Sequence, residues 1–272
     1  MNATLKYPGS KWTSADWIIS YFPEHNFYLE PYFGSGAVFF GKQPSMYETI
    51  NDIDGLVVNF FRVCRDFPDE LARAVYFTPY ARDEYAFVEE TRGGEDIQLT
   101  GDCVEDARRF AVRCFQSTGS KLACRSGWKN SKCAGKARGA INPQVWGKLP
   151  EIILSSAGRL KNAQIENTDA VELIQKCNGA DCLIYADPPY LKETRKSGKI
   201  YRYEMMDTAE HERLLRALLN HRGYVILSGY NNDLYNDMLT GWRKEQKQSR
   251  NAVGDVAVET IWLNYEYQIK ME

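Results

Sequence analysis

No run of about 18 apolar residues, the length a membrane-crossing helix needs, occurs in this sequence, so a transmembrane helix is not expected. The opening residues, MNATLKYPGSKW, carry no apolar core of the kind that directs secretion and read as mature protein. Internal repeats and low-complexity tracts are absent. Seven cysteines stand at Cys64, Cys103, Cys114, Cys124, Cys133, Cys177 and Cys182, an odd number with no CxxC pair. That pattern points to reduced thiols in a cytoplasmic protein rather than a disulfide framework. Zinc held by Cys103, Cys114, Cys124 and Cys133 is disfavoured by their long spacings, and no metal is expected.

Another absence is local. From Ala107 to Lys148 there are ten basic residues and not one Asp or Glu. The whole chain carries a net charge of −2, so the remainder stands at −12. Segregation on this scale points to one face that meets a polyanion, nucleic acid above all. Also missing are a complete GxGxxG fingerprint and a Walker lysine, which argues against a dinucleotide site and a P-loop.

What is present suits an ordinary globular protein. The 272 residues are 44% hydrophobic and 13% aromatic, enough for one large domain, or one domain with a sizeable insertion. NFYLEPYFGSGAVFFG reads as strand, turn and helix start. SMYETINDID reads as a strand followed by the helix GLVVNFFRVCRDF. AQIENTDAVELIQKC reads as strand, acidic turn and helix, and DCLIYADPPY as a buried strand running into a rigid turn. DTAEHERLLRALLNH is an amphipathic helix with a cap at Asp207 or Thr208. GYVILSGYNN, GWRKEQ and VAVETIWLNYEY complete the strands. Strands alternating with helices indicate a mostly parallel α/β sheet, with an antiparallel hairpin at one edge from the last two strands. Residues 64–160 break the rhythm with helical stretches and then a basic Gly- and Ser-containing stretch. They read as an insertion between the second and third strands, set in a domain formed by 1–63 and 161–272.

In such a sheet ligands bind beyond the carboxyl ends of the strands, and the distinctive turns fall there. In EPYFGSG, Gly34 and Gly36 let backbone approach a ligand closely, although GxG alone is most often a tight turn. Asp52 in NDID is placed to accept ribose hydroxyls, or to cap a helix. Together they point to a nucleoside-containing cofactor. ADPPY is more specific. Asp187 offers a carboxylate, Pro188 and Pro189 have fixed φ and no N–H, and Tyr190 offers a ring face. Two acceptors beside a ring suit a planar group bearing an NH2, such as an exposed nucleobase.

These segments, in this order, resemble a DNA adenine-N6 methyltransferase of the Dam type, in the alpha group of amino-methyltransferases. KYPGSK, EPYFGSG, NDID, NTDA, ADPPY and VILSGYNND carry the resemblance. It implies a Rossmann-like S-adenosylmethionine-dependent methyltransferase sheet with a small, mainly helical target-recognition insertion. It also implies a cofactor site of Tyr7, Pro8, Gly9 and Lys11 at the methionine end. Glu30, Pro31, Phe33, Gly34, Ser35 and Gly36 would wrap the methionine and ribose. Asp52 would hold the ribose hydroxyls, and Asp169 with Ala170 would meet the cofactor adenine. Asp187, Pro188, Pro189 and Tyr190 would form the catalytic tetrad around a flipped-out adenine in double-stranded DNA, with Asp187 also facing the cofactor. Candidate DNA contacts are Arg113, Lys121, Arg125, Trp128, Lys129, Asn130, Lys132, Lys136 and Arg138 in the insertion, with Gln144 of a type able to read bases. Arg195, Lys196 and Lys199 follow the tetrad in LKETRKSGKIYRY, expected to close over the DNA or the flipped base. No covalent intermediate is implied, in keeping with the lack of a Pro-Cys nucleophile motif. The implied setting is the cytoplasm of a bacterial or phage-infected cell, in regulation, restriction–modification or phage self-protection, with a monomer or weak dimer both open. Cytosine N4 as acceptor is disfavoured by Asp187. Adenine in RNA as acceptor stays open, as does a non-catalytic DNA-binding protein on the same fold. The recognition stretch lacks the asparagine–glycine pattern of GATC-specific members, so the target sequence stays open too.

Overall fold

A computed structural model describes residues 3–91, 98–118, 122, 125–130, 142–194, 200–205, 207–250 and 256–266. A seven-stranded sheet runs through it: β1 (Phe27–Glu30), β2 (Tyr47–Asn51), β3 (Ala163–Glu166), β4 (Cys182–Ala186), β5 (Tyr224–Gly229), β6 (Arg243–Arg250) and β7 (Val256–Leu263). Their order across the sheet is β3-β2-β1-β4-β5-β7-β6. The first five are parallel, and β7 runs antiparallel to both β5 and β6. The expected mostly parallel sheet with an antiparallel edge is therefore what forms.

β4 explains the centre. All five of its residues are buried, as a strand paired on both edges and covered on both faces must be. It pairs with β1 on one side and β5 on the other. The chain steps outward from β1 to β2 and β3, then returns to β4 on the other flank of β1. That reversal makes the β1/β4 boundary a topological switch point, where a crevice opens beyond the carboxyl ends. The glycine turn leaves β1 at this crevice and the ADPPY turn leaves β4 there.

The helices are α1 (Ala15–Ile19), α2 (Ala37–Gly41), α3 (Gly55–Asp66), α4 (Pro68–Tyr76), α5 (Arg82–Glu90), α6 (Cys103–Gln116), α7 (Asn142–Gly147), α8 (Leu149–Leu160), α9 (Ala170–Lys176), α10 (Thr208–Leu219) and α11 (Asp233–Met238). α3 starts where the Asp54 carboxylate accepts the Leu56 N–H at 3.0 Å, satisfying one orphan donor of the first turn. It buries Leu56, Val57, Phe60, Phe61 and Val63, each such side chain contributing about 1.5–3 kcal/mol. Phe61 meets Phe33 edge-on at 4.7 Å, so the helix braces the glycine turn. α10 carries the expected Asp207 cap, closed into a reciprocal box with Glu210.

The stretch between β2 and β3 is helical, as expected, from α3 to α8. One apolar cluster joins residues of β1, α3, α4, α6 and α8, and α3 itself runs across the expected boundary at residues 63 and 64. Among the described residues no helix is long and apolar enough to cross a membrane.

Candidate active site

A cavity of about 450 Å³ lies at the β1/β4 switch point, within the range of small-molecule sites, about 300–1,000 Å³. One wall is the N-terminal segment from Tyr7 to Lys11. Others are the turn after β1, the end of β2 at Asp52, Ile53 and Asp54, and the start of α9 at Asp169, Ala170 and Val171. β4 contributes Tyr185, with Asp187 and Pro189 just beyond it. Every residue expected at the cofactor lines this cavity except Gly36; of the tetrad, Pro188 and Tyr190 lie outside the lining.

Gly34 and Gly36 both have positive φ, 49° and 65°, a backbone that favours glycine. A side chain at Gly34 would press on the Tyr7 ring, and one at Gly36 would collide with Phe33. Gly36 therefore shapes the turn from behind, while Gly34 forms wall. Asp52 ties this turn to the end of β2. Its Oδ2 accepts the Gly34 N–H at 2.8 Å and its Oδ1 accepts the Asp54 N–H at 2.9 Å. Burial pushes its carboxyl up to about 7, the backbone hydrogen bonds opposing. The helix cap at this strand end is Asp54, not Asp52. Asp169 caps α9, accepting the Glu172 N–H at 2.9 Å, and takes both ends of the Arg213 guanidinium at 2.8 and 2.9 Å. Glu30 is buried and receives the Tyr28 hydroxyl at 2.6 Å. Burial pushes its carboxyl up to about 8.

The ADPPY turn is wired differently. Lys11 Nζ sits 3.0 Å from Asp187 Oδ2, donates to the Gly9 carbonyl at 3.0 Å and lies 3.9 Å from Glu259. Burial works against the Lys11 charge, but Asp187 and Glu259 outweigh it and hold the amine protonated. For Asp187 burial raises the carboxyl, and Lys11 opposes. The second oxygen, Asp187 Oδ1, is buried with no hydrogen-bond partner among the described residues. Asp187 is also one of the residues of the cavity wall. Tyr190 donates its hydroxyl to Glu259 at 2.9 Å. Its ring lies under the Lys11 ammonium at 4.8 Å and meets Tyr230 edge-on at 4.7 Å. Burial, with Asp187 and Glu259 alongside, drives the phenol well above its usual value, so it stays neutral.

Several residues here escape a reading of the sequence. Tyr201, Arg202 and Tyr203 line the cavity, although the charge of the stretch after the tetrad points to DNA or the flipped base. Arg202 reaches Asp54 at 2.6 Å and the Tyr201 ring lies 5.8 Å from that of Tyr7. The signal is YRY, aromatic on either side of the arginine, within a stretch otherwise dominated by its charge. Glu259 belongs to no motif, although an acid interrupting the apolar run VAVETIWL is a signal in its own right.

In the insertion the largest correction is Arg113. It is 4% exposed, donates to the Val88 carbonyl at 2.8 Å and pairs with Glu89 at 3.5 Å, so it is a strut of the interior and not a DNA contact. Arg108 and Arg109 are likewise paired, with Glu84 and Glu105. Those acids lie outside the 107–148 window, so part of the basic excess is neutralised in the fold. Trp128 is half-buried, with Arg82 over its ring, Tyr80 tilted against it and a hydrogen bond from its indole N–H to Gln116. Lys129 is half-buried, and Arg125, Asn130 and Gln144 are exposed. Lys121, Lys132, Lys136, Arg138, Arg195, Lys196 and Lys199 lie outside the described residues. Of the cysteines weighed for zinc, Cys103 is exposed and Cys114 buried, and Cys124 and Cys133 also lie outside.

The donor set fits S-adenosylmethionine. Ser10 and Ser35, whose hydroxyls meet at 2.9 Å on the wall beside Lys11, suit the methionine end, and Asp52 at the end of β2 suits a ribose. Comparison with curated proteins finds no match. Among solved structures, the chain is similar to a SAM-dependent methyltransferase from Agrobacterium tumefaciens, at 12% identity and a TM-score of 0.34 over 93% of this chain. The match spans only 59% of that protein's chain, and a TM-score so low bears on nothing further. Residues 7–254 match the family model of the D12 class N6 adenine-specific DNA methyltransferases. The match takes in the glycine turn, the end of β2 at Asp52, the helical stretch between β2 and β3, and the ADPPY turn; the chain belongs to the D12 class of N6 adenine-specific DNA methyltransferases.

Proposed function

We propose that this protein is a site-specific DNA methyltransferase acting on the exocyclic N6 amine of an adenine flipped out of double-stranded DNA. Family membership supports the reaction class. The single observation that carries the residue assignment is Asp187, with one oxygen held by Lys11 and the other buried, unpartnered among the described residues and on the cavity wall. S-adenosylmethionine, when bound, supplies an electrophilic methyl group.

The chain's residues do the rest. Lys11, Ser10 and Ser35 hold the methionine end, Asp52 the ribose, and Ile53 with Asp169 and Ala170 the adenine of the cofactor. The target base must leave the duplex to reach this depth. Asp187 Oδ1 and the Pro188 carbonyl accept the two amine hydrogens, which frees the nitrogen lone pair for attack on the methyl carbon; the methyl–sulfur bonding pair would stay on sulfur, giving a neutral thioether, and the methylated amine gives up one hydrogen as a proton to Asp187 or to solvent. Tyr190 offers its ring face to the base. Positioning of this kind can contribute about 7–11 kcal/mol. As positive charge grows on the amine, the fixed carboxylate stabilises it without reorganisation. The division into a catalytic part, 1–63 with 161–272, and a DNA-recognition part, 64–160, belongs to the same proposal. Arg125, Lys129 and Asn130 are its described candidate DNA contacts. DNA as substrate also places the protein inside a cell.

The test is product chemistry. Purified protein with tritiated S-adenosylmethionine and mixed-sequence duplex DNA yields N6-methyladenine on digestion. Label confined to N4-methylcytosine, or lost on RNase treatment of a mixed pool, refutes the adenine-in-DNA reading.

A further inference from the structure

Sheet topology explains why Glu259 reaches the site. β7 is antiparallel to β5, and its register sets Thr260 opposite Gly229 and Ile261 opposite Ser228. The early residues of β7 therefore lie at the carboxyl end of β5, the same end at which Asp187 leaves β4. Glu259 shares strand parity with Ile261 and Leu263, both 0% exposed, and its own side chain is only 13% exposed. A carboxylate on such a face costs stability unless it is paired and hydrogen-bonded. It is both. It accepts the Tyr190 hydroxyl at 2.9 Å and stands 3.9 Å from the ammonium that also holds Asp187.

We infer that Glu259 is a positioning residue for methyl transfer, acting through its hydrogen bond to the Tyr190 hydroxyl. This rests on the reading that Tyr190 faces the target base. Tyr190 has two χ angles. Its ring is bounded by Tyr230 on one edge and by the Lys11 ammonium over its face. The Ser228 hydroxyl lies at 3.4 Å, a long contact for a hydroxyl pair. The Glu259 bond is the short, charge-assisted one, and it fixes the plane that the base must stack on. Lys11 is shared between Asp187 and Glu259, so the ring and the acceptor oxygen are held by one connected group.

Steady-state kinetics and cofactor titration test this. Glu259→Ala lowers kcat about 10- to 100-fold, the worth of a hydrogen bond to a charged group, while the Kd for S-adenosylmethionine stays within about threefold of wild type. Glu259→Gln still offers an acceptor oxygen without the charge and recovers part of the loss. Tyr190→Phe keeps the ring, loses the bond and falls by a similar factor. The double variant Glu259→Ala/Tyr190→Phe is no slower than the worse single, as expected of two ends of one contact. Wild-type kcat in Glu259→Ala overturns the inference. So does Glu259→Gln as slow as Glu259→Ala, which would assign the effect to charge, or losses that multiply in the double variant. Should Glu259→Ala not fold by circular dichroism, Tyr190→Phe and Glu259→Gln decide alone: Tyr190→Phe at wild-type rate overturns it. Asp187→Asn runs in the same assay. Full activity there removes the tetrad reading and this inference with it, whereas an inactive Asp187→Asn beside a fully active Glu259→Ala removes this inference only.

Discussion

Two acids stand at strand ends on either side of β1, and they are held in opposite ways. Asp52, after β2, spends both oxygens on backbone N–H groups of the turns around it. Asp187, after β4, has one oxygen on Lys11 and the other buried without a partner among the described residues. A saturated acid makes a wall: it fixes the glycine turn to the neighbouring strand and presents lone pairs in a set direction. On the proposed reading, the second oxygen of Asp187 is the one that meets the amine of the target base.

Breaking the Asp187 side has the largest expected effect. Asp187→Asn keeps the shape but removes the charge that meets the developing cation, and turnover falls about 10²- to 10³-fold, as for loss of one preorganised electrostatic contact. Single-turnover transfer of labelled methyl measures it. On the other side, Asp52→Ala strips the acceptor from two buried backbone N–H groups, each worth about 1–3 kcal/mol. Urea midpoints should drop accordingly.

The walls also leave a pH signature. Glu30 and Asp52 hold their protons in the folded protein to about pH 8 and about pH 7, against ordinary values of 4.5 and 3.8. Between those limits the folded chain binds more protons than the unfolded one, so these groups' stabilisation, full at low pH, is lost as pH rises. Their slope is at most about 1.4 kcal/mol per pH unit for each group. Glu30→Gln should flatten the fall in stability between about pH 5 and pH 8, measured by denaturant titration at each pH. The smallest expected effect belongs to the exposed face. Arg125→Ala should weaken DNA binding a few-fold and reduce the salt slope by about 1, leaving the melting temperature unchanged.

Much of this contrast is legible in the sequence. The GSG turn, NDID and ADPPY each follow a strand, and strand-end placement follows from the fold class alone. What the sequence hides is pairing across the chain. Lys11 reads as a cofactor residue, yet its contact to Asp187 depends on how the N-terminal segment crosses the β1/β4 crevice. Glu259 depends on β7 entering the sheet antiparallel, which carries the start of the last strand to the active end. Arg113 misleads for a related reason. A count of charge along the chain cannot see Glu84 and Glu89, which the fold returns to arginines of α6, and the window from Ala107 cuts off Glu105, which pairs with Arg108 and Arg109 along the same helix.

The contrast between the two acids is tested most directly by one calorimetric series, in which S-adenosylmethionine is titrated into wild type, Asp52→Asn and Asp187→Asn. If Asp52 serves the donor and Asp187 the acceptor, then at about pH 8.5, above the value of about 7 to which burial raises Asp52, Asp187→Asn binds within about threefold of wild type and Asp52→Asn binds about tenfold or more weaker, the worth of a charged hydrogen bond. Loss of binding in Asp187→Asn with full binding in Asp52→Asn would contradict the account.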